Sequence, residues 1–283
     1  MVKIISDSTC DLSKELVERY QIEILPLHIH LGEEEYEDGK NITPEKIFEW
    51  SDKYKLTPKT SVASIVEVMD VFQKYNNQEI ICFAVSEQMS TSANVMRLAA
   101  QELEREEQIF VINSKNLSTG IGLLVIEAAL MAMEGKEAKE IVTQIEQLIP
   151  RVRSSFVVDT LTYLHRGGRC SGVAALAGSA LQLHPKIVVQ NGSMEAGKKY
   201  RGKINKVVMN YVSELEEELK HAKKDRVFIT HSGCEKGLVE EVHQYLKNLN
   251  VFKEILETRA GSVISSHCGP STLGILYIAS NSK

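Results

Sequence analysis

Apolar positions along the chain follow two patterns, one in each half. In the first half, short β-branched runs alternate with stretches of helical period. Val2–Ser6 predicts a strand, Ser13–Tyr20 a helix and Ile22–Leu31 a second strand, with an acidic turn at Glu33–Asp38. Thr43-Pro44 supplies an N-cap and a first-turn proline for a helix through Trp50. Ser64-x-x-Glu67 is a capping box that opens a helix over Ile65–Tyr75. Strand Glu79–Val85, helix Asn94–Arg105, strand Gln108–Asn113 and helix Thr119–Glu134 follow. Unalternating β-branched runs between helices are the mark of parallel strands buried on both faces. The expected fold of this half is therefore α/β, a doubly wound parallel-sheet domain ending near Pro150.

The second half reads differently. Strand Ser155–Asp159 leads to a helical stretch Val173–Leu183, then to a hairpin, Ile187–Gln190 and Met194–Tyr200, about the turn Asn191-Gly192. A helix over Asn205–Lys223 carries the acidic run Glu214–Glu218. Strand Arg226–Thr230, helix Glu235–Asn248 and strands Phe252–Thr258 and Leu273–Ala279 complete the pattern. A hairpin among helices predicts an α+β domain with a mixed or antiparallel sheet. The expected division is 1–152 and 153–283, with no low-complexity linker and hence a broad interface. Clefts between domains are preferred ligand sites.

Composition narrows the classes. With 283 residues, 43% hydrophobic and 25% charged, the chain is an ordinary globular one, long enough for one large or two smaller domains. A net charge of −5 gives no global field for nucleic acid or anionic membrane. The five cysteines are scattered, with no Cys-x-x-Cys pair, which fits reduced thiols in a cytoplasmic protein. The longest apolar stretch, Ile121–Met133, has 13 residues and contains Glu127, too short for a bilayer span. No targeting segment is visible at the start.

Several familiar motifs fail on inspection. Gly192-x-x-x-x-Gly197-Lys198 approaches a phosphate-binding loop, but Lys199 stands where a magnesium-binding hydroxyl belongs, and Asn191-Gly192 is a hairpin turn. No dinucleotide fingerprint or nucleophile elbow is present. His28 and His30 share a strand face without a third ligand near in sequence, so no metal is expected. Cys268 beside His267 points away from it on any regular element.

Three hydroxyl-rich loops remain at strand-to-helix junctions: Ser6-Asp7-Ser8-Thr9, Thr60-Ser61-Val62-Ala63-Ser64, and the stretch Ser86 to Ser92 ending Ser90-Thr91-Ser92. In a doubly wound sheet such loops gather at the carboxyl edge, where helix N-termini favour anions. Opposite them in sequence lies Gly261 to Pro270, with His267 among serines before a Gly-Pro turn. Between Arg151 and Lys206 ten basic residues face two acids, a segment of +8 that includes Arg166-Gly167-Gly168-Arg169 and Lys198-Lys199-x-Arg201. A charge run is usually a solvated face, yet glycines beside arginines suggest a tight loop offering them to an anion.

These residues resemble the DegV family of bacterial fatty-acid-binding proteins, the lipid-carrying subunits of fatty-acid kinase. The likeness runs through Ser6-Asp7-Ser8-Thr9, Lys59-Thr60-Ser61, Ser90-Thr91-Ser92-Ala93-Asn94, Asp159-Thr160-Leu161-x-Tyr163-Leu164-x-Arg166-Gly167-Gly168-Arg169 and Ser266-His267-Cys268-Gly269-Pro270-Ser271-Thr272-Leu273-Gly274. Here Thr91 replaces the glycine of the family's Ser-Gly-Thr loop, and Val62-Ala63 stand where Gln-Pro is usual.

The resemblance implies that Thr60 and Ser90 bind a carboxylate, with Ser61 and Ser92 in the same hydroxyl set and His267 completing it. Arg169 and Arg201 would serve the phosphorylated head group and the kinase. It implies a long-chain, palmitate-like fatty acid as ligand, no other cofactor, and a separate ATP-dependent fatty-acid kinase as partner. Transient contact with a membrane surface, no nucleic-acid partner and no catalysis by the chain itself belong to the same expectation. The competing reading is a serine hydrolase or acyltransferase with Ser90 as nucleophile, His267 as base and Asp159 as orienter.

Overall fold

The first strand, Lys3–Asp7, nucleates a sheet by pairing in parallel with Glu23–Leu25 on one side and Ile80–Ala84 on the other. Ile109–Asn113 adds in parallel beyond Ile80–Ala84, giving a four-stranded sheet. The computed structural model describes residues 1–171 and 183–280. All five residues of Ile80–Ala84 are buried because helices cover both faces. Ile81 and Phe83 join a core built on helix Thr119–Met133, while Ile80, Cys82 and Ala84 pack with helices Ile65–Gln73 and Ser92–Glu102. That double covering is why the sequence shows no polar alternation there.

Residues after about 150 build a seven-stranded mixed sheet. Its spatial order is Glu254–Arg259, Ala222–His231, Leu273–Ala279, Val152–Val157, Leu183–Gln190, Ser193–Arg201 and Cys170–Ser171. The hairpin forms as its turn chemistry demands, with Asn191 at φ +50° and Gly192 at φ +86°. One apolar cluster runs without a break from Ile4, Phe83 and Ile121 to Phe156, Ile187, Phe228 and Leu276, so the two halves share a core. Glu127, the acid within the apolar helix, is paired with Lys223 at 2.7 Å and with Arg226. No helix among the described residues is long and apolar enough to cross a membrane.

The structure corrects the pattern in several places. Ile22–Leu31 is two strands, Glu23–Leu25 and His28–Leu31, in different sheets. Pro26 divides them, because it has no amide to give a ladder. The acidic segment expected as a turn is the strand Glu34–Glu37, paired antiparallel to His28–Leu31. Its charges belong on a solvent-facing edge. Lys59–Ser61 pairs on the other side and completes a three-stranded sheet.

Helix Ala138–Leu148 adds to the expected elements, and Asn205–Lys223 is two helices, Ile204–Glu214 and Glu216–Lys220, followed by a strand from Ala222. The expected helix Val173–Leu183 lies outside the described residues, apart from Leu183, which opens a strand. Two further helices matter for the site: Thr162–Gly167 and Ser262–Cys268.

Candidate functional site

Two of the three hydroxyl loops, at Ser6–Thr9 and Ser86–Ser92, are held together by one buried carboxylate. Asp7 ends the first strand and receives Thr9 N at 3.2 Å, Thr9 Oγ1 at 2.5 Å, Val85 N at 2.9 Å and Ser92 Oγ at 3.0 Å. Burial pushes its pKa up, and these donors pull partly against that. The loop after Ala84 is also fixed from the hairpin side, where Ser86 Oγ donates to Gly192 O at 2.7 Å. A Cβ at Gly192 would lie 2.6 Å from that hydroxyl, so this glycine serves both the turn and the contact. Thr60 arrives on the edge strand opposite Ile29, and Ser61 Oγ sits 2.9 Å from His30 Nε2.

These elements surround a cavity of about 440 Å³. Thr60, Ser61, Ser90, His267 and Arg169 are among its polar lining, and Leu27, Met89, Leu117, Met194, Val263 and Ile264 supply apolar lining. His267 Nε2 lies 3.0 Å from Thr60 Oγ1, a contact between residues 207 positions apart. Burial, reinforced by the positive charge of Arg169, pushes the imidazole pKa down to about 4. His267 is therefore neutral at pH 7, a donor or acceptor without charge. Arg169 Nη1 donates to Gly167 O at 2.7 Å and is the cation at the margin of the cavity. Glu87 also lines the cavity and is paired with Arg97 at 2.5 Å.

Gly167 has a different task from the one its motif suggested. It ends the helix Thr162–Gly167, Gly168 is the left-handed cap at φ +65°, and a Cβ on Gly167 would lie 2.7 Å from His267 Nδ1. The glycine thus makes room for the histidine ring. Gly167→Ala is expected to displace His267 and destabilise the fold by roughly 1–3 kcal/mol, the usual cost of overpacking. Thermal unfolding with a structure of the variant checks it; an unshifted ring at full stability would refute the steric role.

Two of the expected residues are not in the lining. Ser92 is buried with its hydroxyl committed to Asp7, and Arg201 is exposed at the end of its strand. Nor is the Ser90–His267–Asp159 relay assembled. Asp159 sits 3.5 Å from His184 Nδ1, while His267 Nε2 faces Thr60. Ser90 Oγ accepts the Ser92 amide at 3.2 Å. Residue patterns missed the apolar wall, since nothing distinguishes a residue that lines a cavity from one that fills a core. They also give Asp7 no task of its own, although its position at the end of the first β run was a usable signal.

Residues 1–280 match the family model described as "Uncharacterised protein, DegV family". The chain belongs to the DegV family. A DegV domain-containing protein of Clostridium perfringens is 30% identical over 97% of this chain and 96% of its own length. The structure superposes on a DegV family protein of Thermus thermophilus, described for its fatty-acid binding, with a TM-score of 0.90 at 27% identity, covering 98% of this chain and 99% of that one. A stearic-acid-binding protein of Eubacterium ventriosum gives a TM-score of 0.87 at 30% identity, covering 99% of each chain. These are proteins this chain is similar to across its whole length. The mixed α/β architecture described above is that of the family.

Proposed function

We propose that this DegV family member binds one long-chain fatty acid in the 440 Å³ cavity, with the carboxylate at Thr60, Ser61, Ser90 and His267. The observation that carries this is a single cavity whose lining combines apolar side chains with uncharged hydrogen-bonding groups, among them Thr60 and His267 in direct contact. The fatty-acid ligands of the Thermus and Eubacterium relatives support the ligand class.

The energetics fit. A sixteen-carbon chain brings about fourteen methylenes at ~0.8 kcal/mol each, or ~11 kcal/mol of gross burial. Association costs of ~4–15 kcal/mol leave net affinity to preorganisation of the pocket. The chain supplies binding, and the hydroxyls with neutral His267 orient the head group. Uncharged donors satisfy a buried carboxylate without locking it in a full ion pair. A carboxylate held so remains open to conversion into an acyl phosphate.

In this reading the chain is a carrier without catalysis of its own, and a separate ATP-dependent kinase phosphorylates the carboxyl held there. Residues 1–152 and 153–283 are the two units that enclose the lipid, and the basic face belongs to the second. Arg169 stands at the cavity and Arg201 outside it, so their tasks divide. Arg201→Ala should leave fatty-acid affinity within about a factor of three, below ~0.7 kcal/mol, because the acyl chain does not meet it. The same change should slow kinase-dependent acyl-phosphate formation at least about tenfold, more at low salt, as expected of a rim charge that steers association. Fatty-acid affinity and kinase turnover measured on the one variant decide it, and full turnover would end the docking role.

A further inference from the structure

The wall that carries His267 is the seven-residue helix Ser262–Cys268, and its own sequence does not start it. The preceding residue is Gly261, which has no side chain to cap the first turn. The leading amides are taken instead by two carboxylates from far along the chain. Asp11 Oδ1 accepts Gly261 N at 2.8 Å, and Asp38 Oδ1 accepts Ser262 N at 2.7 Å. Each carboxylate is steadied from behind. Ser118 Oγ donates to Asp11 Oδ2 at 2.5 Å, and Ser8 Oγ donates to Asp38 Oδ2 at 2.8 Å. A Cβ on Gly261 would lie 3.1 Å from Asp11 and 3.2 Å from Asp38, closer than most Cβ contacts, so a side chain there would press on both carboxylates.

Burial of both carboxylates is costly. Asp38 is raised to about 6 and Asp11 well above the ordinary carboxylate range, each chiefly by desolvation. A local Ser or Asn cap would ordinarily do the same work in water. What the arrangement adds is a dependence of this helix on the opposite half of the chain. Val263, Ile264, His267 and Cys268 all line the cavity from it. Its far end leaves through Gly269 at φ +79°, whose Cβ position is occupied by the Tyr163 ring.

We infer that Asp11 and Asp38 are positioning residues that latch the helix Ser262–Cys268 against the N-terminal half and so set where His267 meets Thr60. The functional meaning of the latch rests on reading the cavity as the acyl site, but the latch itself is testable without ligand.

The test follows the titration of His267 by side-chain NMR in ligand-free protein. The wild-type imidazole should titrate near 4. Asp38→Ala removes the acceptor at the first turn and admits water, so the value should rise by about one unit or more toward 6.5. Asp38→Asn keeps an oxygen acceptor for Ser262 N and should restore it to within about half a unit. Fatty-acid Kd should rise roughly tenfold in the alanine variant and return to within about threefold in the asparagine variant.

Should Asp38→Ala fail to fold, Ser8→Ala loosens the same carboxylate and should move His267 in the same direction. An unmoved His267 in every folded variant would overturn the latch, leaving the carboxylates as contributors to stability alone. If His267 moves as expected but even the wild type takes up no fatty acid, the latch stands and the ligand reading falls.

Discussion

The double variant Thr60→Val/Ser90→Ala is expected to bind a long-chain fatty acid at least about a hundredfold more weakly than the wild type. Hydrogen bonds to a charged group are worth about 1.5–3 kcal/mol each, so two lost donors amount to about 3 kcal/mol or more. Both hydroxyls line the cavity, yet neither is needed by the core, so the fold should survive. Thr60 is the partner of His267, and valine keeps its shape while removing the contact. A fatty alcohol of equal length should bind the variant within about threefold of the wild type, because its apolar burial is unchanged. Equal losses for acid and alcohol would show that these residues shape the pocket without reading the head group. Turnover of an acyl ester by wild type, abolished in Ser90→Ala, would instead favour the hydrolase reading.

The second large effect concerns pH and stability. Asp38 has a folded pKa of about 6 against the ordinary 3.8, so the folded protein holds its proton more tightly than the unfolded chain. For a raised acid the sign is fixed: stability falls as pH rises from about 4 to 6, and the full cost persists above that. A difference of about two units corresponds to roughly 3 kcal/mol, an order-of-magnitude figure. Asp7 and Asp11 are raised as well and act in the same direction. Asp38→Asn should therefore unfold several degrees higher than wild type at pH 8, with the advantage fading toward pH 4. A Tm difference that is constant across this range would contradict the assignment of the cost to Asp38 ionisation.

Sequence patterning captured what local chemistry determines. Ser64 and Glu67 form the capping box they announced, Thr43 caps the helix that Pro44 opens, and Asn191-Gly192 turns the hairpin. It failed where an element is defined from a distance. Ser262–Cys268 is rich in serine and begins after a glycine, and its capping carboxylates are 250 and 224 residues away. Lys59–Ser61 is a three-residue strand that exists only because His28–Leu31 offers an edge.

The site divides in the same way. Thr60, Ser90 and His267 were readable as chemistry-bearing residues, and the fold brings them to one cavity. Ser92 shows the opposite case: a hydroxyl in the right loop whose partner, Asp7, is structural and 85 residues away. The arginines of the basic segment could not be ranked from sequence, since only the fold separates Arg169 at the cavity from Arg201 beyond it.

The central claim is that a fatty acid occupies this cavity, and native mass spectrometry tests it most directly. Purified wild-type protein incubated with palmitate should carry one acyl molecule per chain, recoverable by organic extraction. Ile264→Trp, which narrows the cavity from its apolar lining, should remain folded and carry markedly less. A wild-type protein that stays at its ligand-free mass, or a tryptophan variant that loads as fully as the wild type, would contradict the account.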